Sequence, residues 1–306
     1  MEDRLAIVSN TPHTQHDFPI SLALGIFDGH RGPWAADYIS VELPRRLLVE
    51  PHRDRRAIFE ELDHSMLGDF RNTHSRRSKF AQKLGIRQRG KEDAARRVLS
   101  GSTALVAELD RASMRVHNVG DSRGVFYDAH QASAVPQDGG RAVSTEYKLM
   151  LKYQPLVAIG KRLFGQQLAT RSFGDAYYKL PLYGHKHFIS ELSKYQSHSS
   201  TSMQTNYATL FHDYKTPPYL TARPERLDFA PNFFHLQSHP KNLGILASDG
   251  LWDNVGNEEA VRILREASGG VNLAEYLLDK VVMNQDGRLP GDDTSIIVMR
   301  PTAATN

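Results

Sequence analysis

The sequence predicts a layered α+β sandwich, and three observations lead there. Strand-like apolar runs fall in groups, helical patterns fall in others, and no steady strand–helix–strand alternation links them. At 306 residues the chain holds one large domain or two small ones. Its 40% hydrophobic and 24% charged content is ordinary for a folded globular chain.

Taken in order, the apolar run Ile20 to Phe27 reads as a buried strand that enters the turn Asp28-Gly29-His30-Arg31-Gly32. Trp34 to Leu48 has helical spacing, with Ala35, Tyr38, Ile39 and Leu43 as its apolar positions. Arg71 to Arg97 carries ten Lys or Arg against two acids. As a solvated, partly helical surface insert it needs no partner; as a docking patch it would suit an acidic or phosphate-rich one. Ser102 to Leu109, Met114 to Val119 and Gly124 to Tyr127 read as antiparallel strands, the first two joined by Asp110-Arg111-Ala112-Ser113. Ser193 to Asn206, rich in Ser, Thr, Gln and His, reads as a mobile loop inside a flap-like insert at 185–215. Leu243 to Ala247 and Ser295 to Met299 are two further strands. Asn257 to Ala267 opens with Asn257 as a cap followed by two Glu, and Asn272 to Met283 has Asn272 as cap with Glu275 three residues on.

Several function classes drop out on composition. No window offers the roughly 18 uninterrupted apolar residues of a membrane span. The absence of Cys removes disulfides, thiolate metal sites and a Cys nucleophile. A net charge of +3 is too weak to argue for nucleic acid. Met1 to Asn10 has neither an apolar secretory core nor an Arg-rich amphipathic presequence. A candidate ligand at the second residue is unexpected, because chain ends fray. The expectation is a chain that lacks its natural N-terminus, with part of a first strand and any localisation signal lost.

Four short carboxylate motifs carry the chemistry: Met1-Glu2-Asp3, Phe27-Asp28-Gly29-His30, Ala247-Ser248-Asp249-Gly250-Leu251-Trp252-Asp253, and Asp292-Asp293-Thr294. The last three each lie at an end of an apolar run, so strands would hold them in fixed positions. Glu2 or Asp3 with Asp28, Asp249 and Asp292 supply enough oxygen ligands for two divalent cations, and such sets favour Mg²⁺ or Mn²⁺ over zinc. Two such ions ~3.5–4 Å apart lower the pKa of a shared water and aim it at a phosphoester. His30 is the only His embedded in these motifs and is the candidate general acid for the leaving oxygen. Gly29 permits close backbone approach, so its carbonyl could also face a metal. Each motif has a plainer reading as well. Asp28-Gly29 is a common turn, Asp121 a turn residue bonded to its own backbone, Asp253 a helix cap or ion-pair partner, and Asp292 or Asp293 a solvated loop acid.

These residues bring the chain to a resemblance. Met-Glu-Asp-Arg, Gly-Ile-Phe-Asp-Gly-His-Arg-Gly, Gly-Ser-Thr-Ala at Gly101 to Ala104, and Asn-Val-Gly-Asp-Ser-Arg-Gly at Asn118 to Gly124 stand in one order. Ala-Thr-Arg-Ser-Phe-Gly-Asp at Ala169 to Asp175, Ala-Ser-Asp-Gly-Leu-Trp-Asp, and Asp-Asp-Thr-Ser-Ile-Ile-Val follow. Together they resemble the 2C (PPM) family of metal-dependent protein serine/threonine phosphatases. Tyr214 to Glu225, with Tyr177, Tyr178 and Lys179, is similar to the pyruvate dehydrogenase phosphatase branch.

The resemblance implies one catalytic domain over 1–306, built as an α-β-β-α sandwich of two central antiparallel sheets flanked by helices. It implies that Asp28 and Asp249 bind or bridge two Mg²⁺ or Mn²⁺ ions, with Gly29 binding through its carbonyl. Asp292 would complete the second site, Glu2 would be a ligand, and Asp3 would hold metal-bound water. Asp121 and Asp253, with Asp249, match a weaker third site, and His30 falls on the general acid. The substrate would be a phosphoprotein, by branch resemblance the pyruvate dehydrogenase complex, and the setting the mitochondrial matrix, otherwise the cytoplasm. Two departures stand out. No Arg lies upstream of Glu2-Asp3 to hold the substrate phosphate, with Arg4 expected to point away from Asp3. Ser144 to Lys148 replaces the Asp-His pair of many members. The rival readings are a catalytically impaired pseudophosphatase acting as a binding scaffold, and a metallohydrolase of small phosphoesters.

Overall fold

In the computed structural model, which describes residues 1–9, 22–75, 90–110, 113–128, 140–143, 158–159, 162–163, 169–181, 185–192, 217–229, 241–285, 287 and 290–301, the strands gather into two main antiparallel sheets. The first runs, in spatial order, β1 (Arg4–Ser9), β2 (Leu22–Phe27), β5 (Ala104–Leu109), β6 (Met114–Val119) and β12 (Glu225–Phe229). The second runs β14 (Ile296–Met299), β13 (Leu243–Ala247), β7 (Arg123–Tyr127) and β8 (Gly140–Val143). A small three-stranded sheet orders β11 (Phe173–Gly174), β4 (Gly101–Ser102) and β3 (Gly29–His30), and β9 (Ala158–Ile159) pairs with β10 (Arg162–Leu163).

Burial explains why β2 is a continuous apolar run rather than an alternating one. Leu24 and Ile26 join an apolar cluster with Leu105, Val116, Phe126 and Leu246, drawn from both main sheets. Phe27 points the other way, into a cluster with α1 (Trp34–Val49), α2 (Arg55–Thr73) and α3 (Lys91–Leu99). A strand covered on both faces has no solvent face to keep polar. A third cluster joins Val125, Ile245 and Ala247 to Ile263, Leu264 and Leu277, from α6 (Asn257–Glu266) and α7 (Leu273–Asn284).

The structure corrects several expectations. Arg55–Thr73 is a 19-residue helix beyond those expected, capped by the Asp54 side chain and buried through Ile58, Phe59, Leu62, Met66 and Phe70. Strand β12 was likewise not anticipated. The run Ser102 to Leu109 is not one strand: Gly101–Ser102 belongs to the small sheet, and Thr103 turns the chain into β5. The cap of α6 is Gly256, with extended backbone and no side-chain bond, while Asn257 is the first helical residue and accepts from Arg123. Asn272 does cap α7, accepting from the Ala274 and Glu275 amides at 3.1 and 3.4 Å. Of the basic stretch 71–97, the ends lie in α2 and α3, and 76–89 falls outside the described residues. Of 185–215, His185–Leu192 is a helix, α4; the loop Ser193 to Asn206 and Ser144 to Lys148 also fall outside.

Candidate active site

Strand ends deliver the central acids. Asp28 follows β2, and its backbone is tied to Thr103: the Asp28 amide donates to Thr103 Oγ1 at 3.1 Å, and the Thr103 amide donates to the Asp28 carbonyl at 2.8 Å. Asp249 follows β13 and opens the short helical turn α5 (Asp249–Trp252). Trp252 pins this turn by donating its indole N–H to the carbonyls of Ala247 and Arg123 at 3.1 and 3.0 Å. The β13–β14 pairing brings Ser295 beside Ser248; Ser248 N donates to the Ser295 carbonyl at 3.1 Å, and Ser295 N donates to Ser248 Oγ at 3.0 Å. Asp3, just before β1, is buried in the same region.

The electrostatics show how closely these acids gather. Burial first, then the charges of Asp249, Asp3 and Asp121, push the Asp28 carboxyl up to about 10. Burial first, then Asp121, Asp253 and Asp292, push Asp249 up to about 6, against a hydrogen bond with Asp28 that pulls the other way. Asp3 is raised mainly by burial, opposed by hydrogen bonds with Ser248, Ser295 and Asp28. One oxygen of each of two carboxylates, Asp3 Oδ2 and Asp249 Oδ1, is buried with no hydrogen-bond partner. Buried orphan oxygens among repelling acids are what a hard divalent cation satisfies, so the donor set fits Mg²⁺ or Mn²⁺. Among the described residues, no three His, Asp or Glu side chains stand in a finished ligand cluster.

The remaining predicted residues surround this core unevenly. Asp121, Asp253 and Asp292 lie near enough to Asp249 to raise it. Asp253 also ends α5, through its backbone N–H, and its charge acts on the half-buried Arg123. Asp292 is exposed and accepts from the Asp293 amide at 2.8 Å. Asp293 is held below the ordinary carboxylate range chiefly by the Glu2 amide, which donates to it at 2.6 Å. The Glu2 carboxylate instead accepts from the Gly32 amide at 3.0 Å. Gly29 is needed for close approach, because a Cβ there would lie 2.6 Å from the Glu2 carbonyl oxygen. Arg4 pairs with Asp37 of α1 and also donates to the Asp3 carbonyl at 2.8 Å.

His30 is held by Asp175, which stands outside the carboxylate motifs. Its Nε2 lies 2.8 Å from Asp175 Oδ2, and Arg31 donates to Asp175 Oδ1 at 2.7 Å. Asp175 is fully buried; burial would raise it, but His30 and Arg31 outweigh burial and hold it well below the ordinary carboxylate range. The loop that carries Asp175 is anchored by Lys179, which donates to both Asp63 oxygens at 2.8 Å and to the Ser172 carbonyl at 2.6 Å. The two strings of the branch resemblance meet here. The Tyr219 amide donates to the Tyr178 carbonyl at 2.8 Å, and Ser172 N donates to the Thr221 carbonyl at 3.2 Å. The Phe-Gly-Asp string was visible in the sequence, but nothing local tied its Asp to a His 145 residues away.

Over 185 residues the chain is 32% identical to pyruvate dehydrogenase (acetyl-transferring)-phosphatase 1, mitochondrial, of Homo sapiens, a match of 56% of this chain and 32% of that protein. The chain thus spans about a third of the length of that relative. It is 27% identical over 280 residues to probable protein phosphatase 2C member 13, mitochondrial, of Oryza sativa subsp. japonica, covering 90% of this chain and 59% of that one. The solved structure of a sex determining protein of C. elegans shares the fold, with a TM-score of 0.58 at 18% identity over 98% of this chain and 62% of that one. No helix among the described residues is long and apolar enough to cross a membrane. The profile of the Protein phosphatase 2C family matches residues 1–283, and the chain belongs to that family.

Proposed function

We propose that this chain hydrolyses phosphoserine and phosphothreonine in proteins, using Mg²⁺ or Mn²⁺ as its family does. The observation that carries the reading is the group formed by the buried Asp3 and the half-buried Asp28, Asp121 and Asp249, with two buried orphan oxygens, beside the short strand β3 that carries His30. Asp28 and Asp249 would hold two cations, with the Gly29 carbonyl, Glu2 and Asp292 completing them and Asp3 orienting water. Asp121 and Asp253, with Asp249, would form a weaker third site. Bound divalent cations neutralise the phosphate and lower the pKa of water. His30 gives its proton to the seryl oxygen as the ester P–O bond breaks, water having supplied the new one.

The finer parts of the reading have their own support. The three apolar clusters, two of them joining helices to a sheet and one joining the two sheets, support an α-β-β-α sandwich in a single domain over 1–306. The basic stretch 71–97 and the 185–215 segment would supply its inserts. Similarity to the human phosphatase supports phosphorylated pyruvate dehydrogenase as substrate and the mitochondrial matrix as location. Phosphate release from phosphorylated pyruvate dehydrogenase, a generic phosphoserine peptide and small phosphate monoesters, each with Mn²⁺, tests the reading. The expected order places the phosphoprotein first; faster turnover of small monoesters would overturn it in favour of a small-molecule hydrolase.

A further inference from the structure

We propose that Asp175 is the positioning residue of His30, gripping the ring through Nε2 so that Nδ1 is the nitrogen turned to the substrate. The proposal rests on the phosphatase reading above. Its basis is an asymmetry across one contact. The Asp175 side chain has no exposure, whereas that of His30 is 29% exposed, so the bonded edge of the imidazole faces inward. The proposal leaves Nδ1, the other ring nitrogen, for the substrate.

Three donors fix the carboxylate: His30 Nε2 and Ser172 Oγ on Oδ2, at 2.8 and 2.7 Å, and Arg31 on Oδ1 at 2.7 Å. An ionised carboxylate only accepts, so the ring must present N–H at Nε2. The backbone is equally committed. The Asp175 amide donates to the Ser100 carbonyl at 3.1 Å, and the Asp175 carbonyl accepts from the Tyr178 amide at 3.0 Å. Arg31 and Asp175 are the two non-glycine residues with positive φ among the described residues, at 60° and 49°, and they bond each other. Strain of this kind persists where surrounding structure over-determines it, and it clusters at functional sites. Gly101 closes the arrangement: any Cβ there would overlap both His30 Nε2 and the Asp175 carboxylate. A carboxylate needed only to neutralise Arg31 would not require its neighbour to lack a side chain against the imidazole.

The test compares the full chain with Asp175→Asn, Ser172→Ala and His30→Ala, with Mn²⁺, on a phosphoserine peptide and on p-nitrophenyl phosphate. A seryl leaving group needs its proton and a nitrophenolate does not. Asp175→Asn should lower kcat on the peptide about 100-fold and on the aryl ester less than about tenfold. Ser172→Ala, a milder change, should show the same selectivity at smaller size. In the His30→Ala background, Asp175→Asn should add less than about twofold on the peptide, since the two act as one unit. Nitrogen-15 NMR of the His30 ring should show a slowly exchanging Nε2–H in the parent that disappears in Asp175→Asn. Equal losses on both substrates, or additive losses in the double variant, would overturn the positioning role while leaving the phosphatase reading intact. A parent inactive on both substrates would overturn that reading instead. The ring signal then decides the placement, and a parent without a protonated Nε2 overturns it.

Discussion

Asp28 keeps a proton that an ordinary aspartate surrenders near pH 3.8, because burial and three neighbouring acids raise it to about 10. The sign follows from that direction. Its contribution to the stability of the metal-free chain is intact below pH 3.8 and is lost as pH rises toward 10. A divalent cation must displace the proton, so Mn²⁺ uptake should release protons and the apparent affinity should rise between pH 6 and about pH 8. Calorimetry in buffers of different ionisation enthalpy measures both, and pH-independent binding without proton release would contradict the assignment. At this scale the sequence was legible where a residue's role is local. Asp28 and Asp249 each end an apolar run, which is a pattern of neighbours. Asp175 was not legible, because its work depends on His30 and Arg31 arriving from 145 and 144 residues away.

Elements meet through a few buried polar contacts whose removal should be costly. Lys179 joins the Asp175 loop to α2 through Asp63, with both side chains nearly inaccessible. Replacing Lys179 by Met strands a buried carboxylate, and urea denaturation should show a loss of about 3–5 kcal/mol. A loss under 1 kcal/mol, on the order of an exposed pair, would show that the pair carries no such weight. The caps make a finer contrast. Asn272→Ala removes a bond that satisfies helix amides and should cost about 1 kcal/mol in the same assay. Asn257→Ala removes no cap, since the cap is Gly256, and touches only the contact with Arg123. Both asparagines looked alike in sequence. They differ because the extended residue that starts α6 comes one position earlier, and only the backbone shows that. Helix α2 is the opposite case: Ile58, Leu62, Met66 and Phe70 recur at four-residue steps, a signal present but overshadowed by the charges that surround them.

Across the whole molecule, two antiparallel sheets bring the chain start, the end of β2, the loop before β7, the turn after β13 and the approach to β14 to one region. Strands pair in register, Arg4 with Phe27 and Ala247 with Ile296, and the Glu2 amide donates to Asp293 across the two strand systems, so motifs at opposite ends of the sequence become neighbours. The order of the motifs announced the family, and the apolar runs announced most of the strands of the main sheets. What the sequence withheld was the splitting of the Ser102 run at Thr103 and the small sheet it creates, since a two-residue strand such as Gly29–His30 has no periodicity to detect. That small sheet holds His30 beside the acids.

The decisive measurement is phosphate release from a phosphoserine peptide by the purified chain, with Mn²⁺ and with chelator, beside the folded Asp249→Asn variant. The arrangement predicts turnover that requires Mn²⁺ and falls by at least about a thousandfold in the variant, whose lost carboxylate belongs to the central acids. Equal turnover in parent and variant at saturating Mn²⁺, or turnover that persists in chelator, would contradict it.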